Sequence, residues 1–429
     1  MQTTFTEAQL LDPHISQADA ILRKCVHCGF CTATCPTFVL LGDELDSPRG
    51  RIYLIKGLLE QGAKPTDQHV THIDRCLSCL SCTTTCPASV DYMHLVDDAR
   101  AKIEREYKRP LMDRLFRRVL QLVLPYPGRF RLALIGAWLA RPLAGLMPGR
   151  MGAMLKLAPA RIYPPADVDR PQVFKAEGEM VKRVALMTGC AQQVLSPAIN
   201  EATVRLLTRH GCEVVVAQGQ GCCGALVNHM GEETASHGQA AANIVAWEQA
   251  EAGYGKIDAI VINASGCGTT VKDYGWMFRR DEAMAARAKA VSDKTRDITE
   301  VMRDLELKLT DGLDKPIVTY HSACSMQHGQ KLTKEPKALL ARAGFDVREP
   351  AEGYLCCGSA GTYNIMQPAI AERLKQRKIK NLQAAGGEVI AAGNIGCITQ
   401  LAGDAGLPVV HTVALLDWAT GGRKPVGLK

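Results

Sequence analysis

The strongest constraint on this chain is a pair of identically spaced cysteine runs near its N-terminus. Both runs read C-x2-C-x2-C-x3-C, each is followed by a proline (Pro36 or Pro87), and the second begins 51 residues after the first. Three thiolates at intervals of three on a tight loop can converge on one small volume, whereas the fourth lies too far along the chain to join them. The proline turns the backbone away after that fourth cysteine. The runs therefore predict two cluster-binding loops that exchange their fourth ligands.

This spacing is typical of bacterial two-cluster ferredoxins and predicts two [4Fe–4S] clusters. The predicted ligands are Cys25, Cys28, Cys31 and Cys86 for the first cluster, and Cys76, Cys79, Cys82 and Cys35 for the second. The alternative is a pair of four-cysteine zinc sites, but these favour two C-x2-C pairs separated by a longer spacer. The long insert between the two runs predicts a helix over about residues 51–61.

Most of the other nine cysteines belong to a second repeat. Cys190 precedes the triplet Cys222-Cys223-Gly224 by 32 residues, and Cys324 precedes Cys356-Cys357-Gly358 by the same interval. Each unit reaches one further cysteine, Cys267 or Cys397, after an apolar stretch. Equal internal spacing indicates a duplication. The stretches RVALMTGC and PIVTYHSAC are typical of short strands, and parallel sheets place their sites at the carboxyl ends of such strands.

Adjacent cysteines followed by glycine suit two thiolates on one metal centre, because glycine allows a positive φ and a close backbone approach. The two candidate metal-binding sets are Cys190, Cys222, Cys223 and Cys267 in the first unit, and Cys324, Cys356, Cys357 and Cys397 in the second. The alternative is a structural turn with buried, unliganded thiols, since free cysteine is commonly buried. When the two units are aligned, Cys212 corresponds to Phe345 of the second unit. Cys212 is therefore predicted to be a core residue.

The amino-acid composition excludes several classes of protein. The chain has 429 residues, of which 47% are apolar and 22% charged, and this balance excludes a mainly disordered chain. Aromatic residues make up only 5%, so no nucleic-acid partner is expected. Seventeen cysteines, an odd number, follow a start (MQTTFTEAQL) that does not resemble a signal peptide. These features predict a cytoplasmic, metal-binding protein rather than a secreted disulfide scaffold.

The predicted fold class is mixed α+β and α/β, with four parts. A helical, ferredoxin-like domain with two [4Fe–4S] clusters covers residues 1–108, and a basic amphipathic connecting segment covers residues 109–165. Two duplicated α/β units, called CCG units here after their cysteine-cysteine-glycine triplets, cover residues 180–313 and 314–429.

The connecting segment has an unusual charge and apolar pattern. Residues 109–161 hold nine arginines and Lys156 against the single acid Asp113, a net charge of +9, whereas the whole chain carries +7. The longest apolar run, residues 132–140, is too short for the roughly 20 residues that span a bilayer. Arginine-rich amphipathic helices with Phe130 and Trp138 suit an anionic membrane interface. The alternative is packing against a partner subunit or the chain's own core.

Several polar residues have two interpretations. One interpretation places Arg49 or Arg51 near a cluster or a partner. The alternative is that both are solvated residues at a helix start. His321 and His328 are expected either to contact a cluster, as a ligand or a hydrogen-bond donor, or to be ordinary buried histidines. His27 is expected to modify the surroundings of the first cluster rather than to bind it. The chain has no G-x-S-x-G motif, no P-loop and no dinucleotide fingerprint. Substrate chemistry therefore requires a partner, and this chain is predicted to conduct electrons.

The paired C-x2-C-x2-C-x3-C-P motifs, the stretch SPRGRIYLIK and the two CCG units resemble the iron–sulfur subunits of bacterial glycolate oxidase (glycolate dehydrogenase). The resemblance covers residues 25–418. It implies a complex whose FAD-binding subunits oxidise glycolate to glyoxylate, with this chain passing electrons through two [4Fe–4S] clusters towards membrane quinone. It also implies a cytoplasmic protein held peripherally at the cytoplasmic face of the inner membrane.

Parts of the pattern also resemble iron–sulfur subunits of glycerol-3-phosphate dehydrogenase, lactate-utilisation proteins and heterodisulfide reductases. A complex that oxidises D-lactate, another 2-hydroxy acid or glycerol 3-phosphate is therefore an alternative, as is a disulfide reductase of the CCG type. In heterodisulfide reductases each CCG unit carries a fifth cysteine in a C-x2-C ending. Here the endings are Cys267-Gly-Thr-Thr and Cys397-Ile-Thr-Gln, which argues against disulfide chemistry. A non-redox scaffold with structural zinc is a further alternative.

Overall fold

A computed structural model describes residues 1–147, 149–159 and 161–428. The first 106 residues form helices and loops, with no strand among the described residues of this part. Short 3₁₀ turns lie at Phe30–Thr32 and Glu44–Asp46. The helices are α1 (Glu7–Leu10), α2 (Pro13–Lys24), α3 (Pro36–Leu41), α4 (Pro48–Glu60), α5 (Asp67–Asp74), α6 (Ser81–Thr85) and α7 (Tyr92–Glu106).

Helix α4 is the helix predicted in the insert, and it begins three residues earlier than expected. The Ser47 hydroxyl accepts a hydrogen bond from the Gly50 N–H, and Pro48 occupies the first turn, so both residues favour a helix start here. The buried side of α4, with Ile52 and Ile55, packs against α2 and α7 in one core that also contains Cys25 and Cys76. The N-terminal core therefore holds the cysteine loops in place.

The connecting segment forms α8 (Leu111–Val123), α9 (Pro127–Ala140), a 3₁₀ turn (Arg141–Leu143) and α10 (Gly149–Leu157). One side of α8 is buried, because Leu120 packs against Val227 and Met230 of the first CCG unit. The other side exposes large apolar residues, and α9 continues this exposure. In the described part of the chain, no helix is long and apolar enough to span a membrane, which agrees with the prediction.

The first CCG unit contains a five-stranded sheet in the order β1-β3-β2-β4-β5, parallel except for β1. Strand β1 lies before residue 180, where the unit was predicted to begin, and it extends the sheet at one edge. A 3₁₀ turn at Asp167–Asp169 precedes this strand. The elements are β1 (Gln172–Phe174), β2 (Lys182–Met187), α11 (Gln192–Leu195), α12 (Ala198–Arg209), β3 (Cys212–Val216), α13 (Ala225–Asn228), α14 (Glu233–Tyr254), β4 (Ala259–Ile262), α15 (Ser265–Lys272), α16 (Tyr274–Met277), α17 (Ala285–Lys294), β5 (Thr295–Asp297) and α18 (Ile298–Arg303).

The second unit has a four-stranded, all-parallel sheet in the order β7-β6-β8-β9. The strand expected to run into the second CCG turn is only two residues long, and it ends at Arg348, well before Cys356. The elements are β6 (Val318–His321), a π-helical turn (Ser325–Gly329), α19 (Glu335–Arg342), β7 (Val347–Arg348), α20 (Tyr363–Met366), α21 (Pro368–Ala384), β8 (Val389–Ala392), α22 (Ile395–Ala402), β9 (Val409–His411) and α23 (Thr412–Ala419).

The two CCG units share one hydrophobic core. Side chains of β2 and α12 lie in the same buried cluster as side chains of β6, α19 and α23. Cys212 and Phe345 are both buried in that cluster, so the prediction that Cys212 is a core residue is confirmed. Asp417 of α23 is buried and pairs with Arg205 at 2.7 Å and Arg209 at 3.0 Å on α12. The predicted fold class, a helical N-terminal part followed by two α/β units, is confirmed.

Candidate metal-cluster sites

The two N-terminal cysteine loops have left-handed backbone conformations at equivalent positions. Between their cysteines, His27 and Ser78 both have positive φ values (56° and 49°), and so do Gly29 and Leu80 (86° and 61°). Residues other than glycine rarely adopt this conformation, so its repetition at equivalent positions is a specific feature of the loops. Alternating left-handed residues turn successive N–H groups towards one side, which creates a concave site for an anionic group such as an iron–sulfur cluster.

Each loop borders a cavity lined by cysteines. The first is lined by Cys25, Cys28, Cys31, Cys82 and Cys86. The second is lined by Cys35, Cys76, Cys79 and Cys82. The fourth cysteine of each run therefore lies beside the other run's loop. Eight thiols in two groups of four fit two iron–sulfur clusters.

Arg51 is buried beside the second cysteine group. Its guanidinium donates hydrogen bonds to the carbonyl oxygen of His72 (2.6 Å) and to the Thr37 hydroxyl (3.0 Å), and it lies 3.8 Å from the Cys35 Sγ. Burial raises the pKa of the Cys76 thiol, but the guanidiniums of Arg51 and Arg100 outweigh it and lower this pKa overall. At Cys76 the two guanidiniums therefore favour the thiolate. Of the two interpretations of Arg51, the structure supports proximity to a predicted cluster ligand.

The first cysteine group lies near the surface, unlike the second. Cys28 is exposed, and three large apolar residues beside the loop are also exposed: Val26, Phe30 and Tyr53. Arg49 reaches this loop as well, where its Nη1 is 3.5 Å from the carbonyl oxygen of His27 and its Nε pairs with Glu44 at 2.7 Å. Burial raises the pKa of the Cys31 thiol in this first group to about 11, and it raises the pKa of Cys79 and Cys82 in the second group well above the ordinary value.

In the first CCG unit, the four candidate cysteines converge at the carboxyl edge of the sheet. Cys190 follows β2, Cys267 lies in α15 just after β4, and Cys222 and Cys223 form the turn between β3 and α13. The Tyr274 hydroxyl donates to the carbonyl oxygen of Cys223 (2.9 Å), which holds this turn in place. A hydrogen bond to Cys222, together with burial, raises the pKa of the Cys190 thiol well above its ordinary value.

The glycines of the two CCG turns have the conformation expected from the sequence. Gly224 and Gly358 both have left-handed backbones, with φ values of 90° and 89°. A Cβ on Gly358 would lie only 2.6 Å from the carbonyl oxygen of Ala371, and one on Gly224 would lie 2.8 Å from the Ser236 hydroxyl. Both glycines are therefore required by the positive φ and by the close approach of the following helix.

The second CCG unit gathers its four cysteines and one of the two histidines. The Sγ atoms of Cys324 and Cys356 are 3.7 Å apart. Ligand atoms of His321, Cys357 and Cys397 all lie within 4.8 Å of one another, and all three residues are buried. Asn394 donates to the Cys397 Sγ at 3.5 Å. Soft thiols together with an imidazole form a donor set suited to iron or zinc.

The histidines singled out by the sequence differ in their surroundings. Within the described part of the chain, neither ring nitrogen of His321 has a hydrogen-bond partner, and burial lowers its pKa to about 3. His328 is satisfied, because its Nδ1 is 2.7 Å from the Thr84 hydroxyl and its Nε2 is 3.1 Å from the carbonyl oxygen of Tyr354. His328 is therefore a structural contact between the N-terminal part and the second unit. Burial lowers the pKa of His27, which lies beside the first cavity.

Lys378 and Arg100 are functional candidates that the sequence analysis missed. The Lys378 ammonium is buried near Cys356, Cys357 and Cys397; it donates to the carbonyl oxygen of Glu352 at 2.8 Å. The Arg100 guanidinium donates to the carbonyl oxygen of Cys76 at 2.6 Å. Each lies on a helix far along the chain from the cysteines it approaches, and no local motif marks it.

The second N-terminal site adjoins the second CCG site. Leu77 and Cys79 share one buried cluster with Leu355 and Cys356, and Cys324 packs against it. After burial, the nearby Cys324 thiol is the next cause of the raised pKa of Cys79. The described cysteine sites thus form a series from the exposed Cys28 loop, through the Cys79 loop, to the second CCG unit.

Family comparisons agree with these sites. Residues 21–90 match the model of a family described as a 4Fe-4S dicluster domain. Residues 184–272 and 318–402 match the model of a family described as a cysteine-rich domain, CCG. The first match covers both N-terminal cysteine runs, and the second finds the two units of the duplication. The first match indicates that this protein holds iron–sulfur clusters.

Curated relatives match between about half of the chain and nearly all of it. It is 42% identical over 421 residues to the glycolate oxidase iron-sulfur subunit of Escherichia coli (strain K12), covering 98% of this chain and 99% of that one. The chain belongs to the family of glycolate oxidase iron–sulfur subunits. A probable glycolate oxidase iron-sulfur subunit of Bacillus subtilis (strain 168) is 32% identical, with 89% and 88% coverage. Lactate utilization protein A of Bacillus thuringiensis (strain Al Hakam) is 30% identical over 52% of this chain and 90% of its own.

Proposed function

We propose that this chain relays electrons within a glycolate oxidase complex. Partner subunits that carry FAD oxidise glycolate to glyoxylate, and this subunit conducts the electrons towards membrane quinone. The main support for the proposal is the pair of cysteine-lined cavities. These cavities occur in a chain that is similar over its whole length to a glycolate oxidase iron-sulfur subunit. Membership of this family supports glycolate as the substrate of the complex.

The proposed ligands follow the two cavities. The first [4Fe–4S] cluster is held by Cys25, Cys28, Cys31 and Cys86, and the second by Cys35, Cys76, Cys79 and Cys82. The shared lining of each cavity and the matching loop conformations support this crossed assignment. When bound, such clusters supply one-electron redox chemistry at potentials set by charge, hydrogen bonds to sulfur and exposure.

The protein residues around the second site hold positive charge close to the thiolates. Arg51 and Arg100 are both buried there, and Tyr92 donates its hydroxyl hydrogen bond to the Cys76 Sγ at 3.6 Å. Burial keeps water away, so these charges are poorly screened and act strongly on the thiolates. We propose that they stabilise the reduced, more negative state of this site.

The surface around Cys28 is the proposed contact for the flavin-carrying partner. It is the exposed end of the series of described cysteine sites. Val26, Phe30 and Tyr53 present apolar area beside the loop, and the Arg49–Glu44 pair adds polar groups at its edge. Apolar and aromatic groups with a polar rim are characteristic of protein interfaces.

The CCG units are proposed to hold further clusters. The donor sets are Cys190, Cys222, Cys223 and Cys267 in the first unit, and Cys324, Cys356, Cys357 and Cys397 in the second. Their convergence at the carboxyl edges of the sheets supports this assignment.

The connecting segment is proposed to attach the complex peripherally to the cytoplasmic face of the inner membrane. The exposed side of α8 and α9 carries Leu115, Leu132 and Leu139, with Trp138 half-exposed. Arg114, Arg118 and Arg129 are exposed nearby, and they match the charge of an anionic lipid surface. Arg109 and Arg117 do not take part, because they are buried and paired with Asp74 and Glu104.

The relay is tested by Cys28→Ser and Cys79→Ser in the assembled complex. Each is expected to abolish glycolate-dependent reduction of a quinone acceptor, because serine is a poor cluster ligand, while leaving flavin reduction by glycolate intact. The matched control is Cys212→Ala, since Cys212 is buried in the core away from both cavities. Stopped-flow absorbance measures the two half-reactions separately. Full acceptor reduction by both serine variants would refute the relay.

A second candidate substrate is lactate or another 2-hydroxy acid. The observation that favours it is the similarity of about half of this chain to lactate utilization protein A. Supplying the purified complex with glycolate and with D-lactate separates the two, because the faster flavin reduction identifies the physiological substrate.

A further inference from the structure

The two CCG units differ at the residue that ends the strand before their first cysteine, β2 in the first unit and β6 in the second. That residue lies three positions before the first cysteine, and it is Met187 in the first unit and His321 in the second. Both side chains are buried, with exposures of 1%. A methionine at this position needs no polar partner, whereas a buried imidazole ordinarily hydrogen-bonds through at least one ring nitrogen.

His321 lacks such a partner on both nitrogens among the residues the structure describes. Leaving a buried polar group unpaired is costly in free energy, so an unpaired imidazole at the end of a core strand requires an explanation. The ligand atoms of Cys357 and Cys397 lie within 4.8 Å of those of His321 and of each other. An imidazole directed at two thiols in a dry site is typical of metal ligation.

The number of donors indicates the kind of metal centre. Cys324 and Cys356 continue the same group, with their Sγ atoms 3.7 Å apart, so five donors converge at this site. Structural zinc is almost always four-coordinate, so a single zinc ion leaves a donor unused. A four-iron cluster accommodates all five when one of its irons takes two protein ligands. The buried Lys378 ammonium beside the cysteines offsets part of their negative charge.

We propose that His321 is a ligand of an iron–sulfur cluster in the second CCG unit, which it shares with Cys324, Cys356, Cys357 and Cys397. The first unit, with Met187 in place of the histidine, provides only thiols. Replacing an imidazole ligand with a thiolate lowers the reduction potential of a cluster. The second unit adjoins the Cys79 loop and is therefore placed to exchange electrons with the N-terminal sites. This inference rests on the proposed cluster of the second CCG unit and adds a ligand to it, whereas the relay test of the proposed function involves only the N-terminal cysteines.

The test uses the full-length chain, purified without air and labelled with ¹⁵N-histidine. Pulsed EPR detects nitrogen hyperfine coupling, and metal analysis gives iron and zinc per chain. The expected result is iron above the roughly eight atoms of two cubane clusters, with a histidine nitrogen coupling. That coupling disappears in His321→Met, which copies the first unit, and persists in His328→Gln, whose imidazole is already hydrogen-bonded.

A second variant covers the case in which His321→Met fails to fold. His321→Cys restores a metal ligand, so it is expected to retain the iron, lose the nitrogen coupling and move the potential of this centre to a more negative value. Three results would each overturn the proposal: nitrogen coupling that survives in both variants, iron no higher than that of two cubanes, or zinc in place of the additional iron. None of them affects the glycolate-dependent relay through Cys28 and Cys79, so the two failures are distinguishable.

Discussion

At the scale of single residues, buried charge beside the thiolates is the main feature of the second N-terminal site. Arg51 is only 1% exposed and lies between Cys35 and the carboxylate of Asp46, which is fully buried. Asp46 also contacts Arg75 at 2.8 Å and His72 at 2.9 Å. The carboxylate therefore holds Arg51 in position and keeps its partners when that arginine is replaced.

Replacing Arg51 tests the effect of its charge on the second cluster. In Arg51→Gln the potential of that cluster is expected to become more negative by on the order of 60 mV, the equivalent of a tenfold change for one electron, because reduction adds negative charge. Arg51→Lys retains the charge and should shift the potential less. Redox titration followed by EPR measures both variants.

Arg49→Gln provides the matched control for Arg51. Arg49 lies by the first loop and is partly exposed, so solvent screens its charge and the second cluster should keep its potential. An unchanged potential in Arg51→Gln, with the cluster present, would show that the buried arginine is structural only.

At the scale of elements, helix α8 is amphipathic, whereas helix α9 is apolar and mostly exposed. The inner side of α8 is fixed by Leu120 and by Arg117, which donates to the carbonyl oxygen of Met230 at 2.8 Å. Helix α9 leaves Leu132 and Leu139 at 71% and 67% exposure. Substitutions at these exposed positions should therefore change binding without disturbing the fold.

The double variant Leu132→Ser, Leu139→Ser is expected to bind anionic lipid vesicles at least about tenfold more weakly, because each leucine buried in the interface contributes about 1.5–3 kcal/mol. Flotation of the full-length chain with phosphatidylglycerol vesicles measures this binding. Val426→Ser is the control, since Val426 is 96% exposed but lies outside these helices. Equal flotation of all three proteins would contradict membrane attachment through α8 and α9 and leave a partner subunit as the occupant of this surface.

At the scale of the whole molecule, the N-terminal part is joined to the first CCG unit through His94. Its Nε2 is 3.1 Å from the Asp273 carboxylate, and its ring stacks on Trp276 with 4.1 Å between centroids. Burial lowers the pKa of His94, but the hydrogen bonds to Asp273 and Asp91 outweigh it and raise the pKa to about 9. The histidine is therefore charged at neutral pH and forms an ion pair between the two parts.

This ion pair makes the stability of the contact between the N-terminal part and the first CCG unit depend on pH. Because the pKa is higher in the folded state than the ordinary 6.5, the contribution is complete below pH 6.5 and is lost as the pH rises towards 9. The expected loss is on the order of 2–3 kcal/mol. Hydrogen exchange in α7 between pH 6.5 and 9.5, corrected for the intrinsic rate, measures it. The variant His94→Gln should show little of this dependence, and an equal dependence in that variant would exclude His94 as its source.

Much of the fold follows from local sequence patterns. The equal 32-residue intervals in the two CCG units predicted a duplication, and two sheets, parallel except for the edge strand β1, have cysteines at their carboxyl edges. The glycine of each CCG triplet predicted a left-handed backbone, and both glycines have one. These features depend on residues close together in the chain. The spacing of the cysteines and glycines along the sequence was therefore enough to predict them.

The sequence by itself determined the cysteine repeats, the helix of the insert and the order of the units, because spacing along the chain limits which thiols a loop can bring together. Only the tertiary structure decided that Arg51 faces Cys35, that Cys79 adjoins the second CCG unit, and that His328 is hydrogen-bonded while His321 is not. These contacts join distant segments, and their energies depend on burial. Burial removes the competing water, so a buried charge or imidazole interacts only with the few groups around it. No motif along the chain predicts which groups these are.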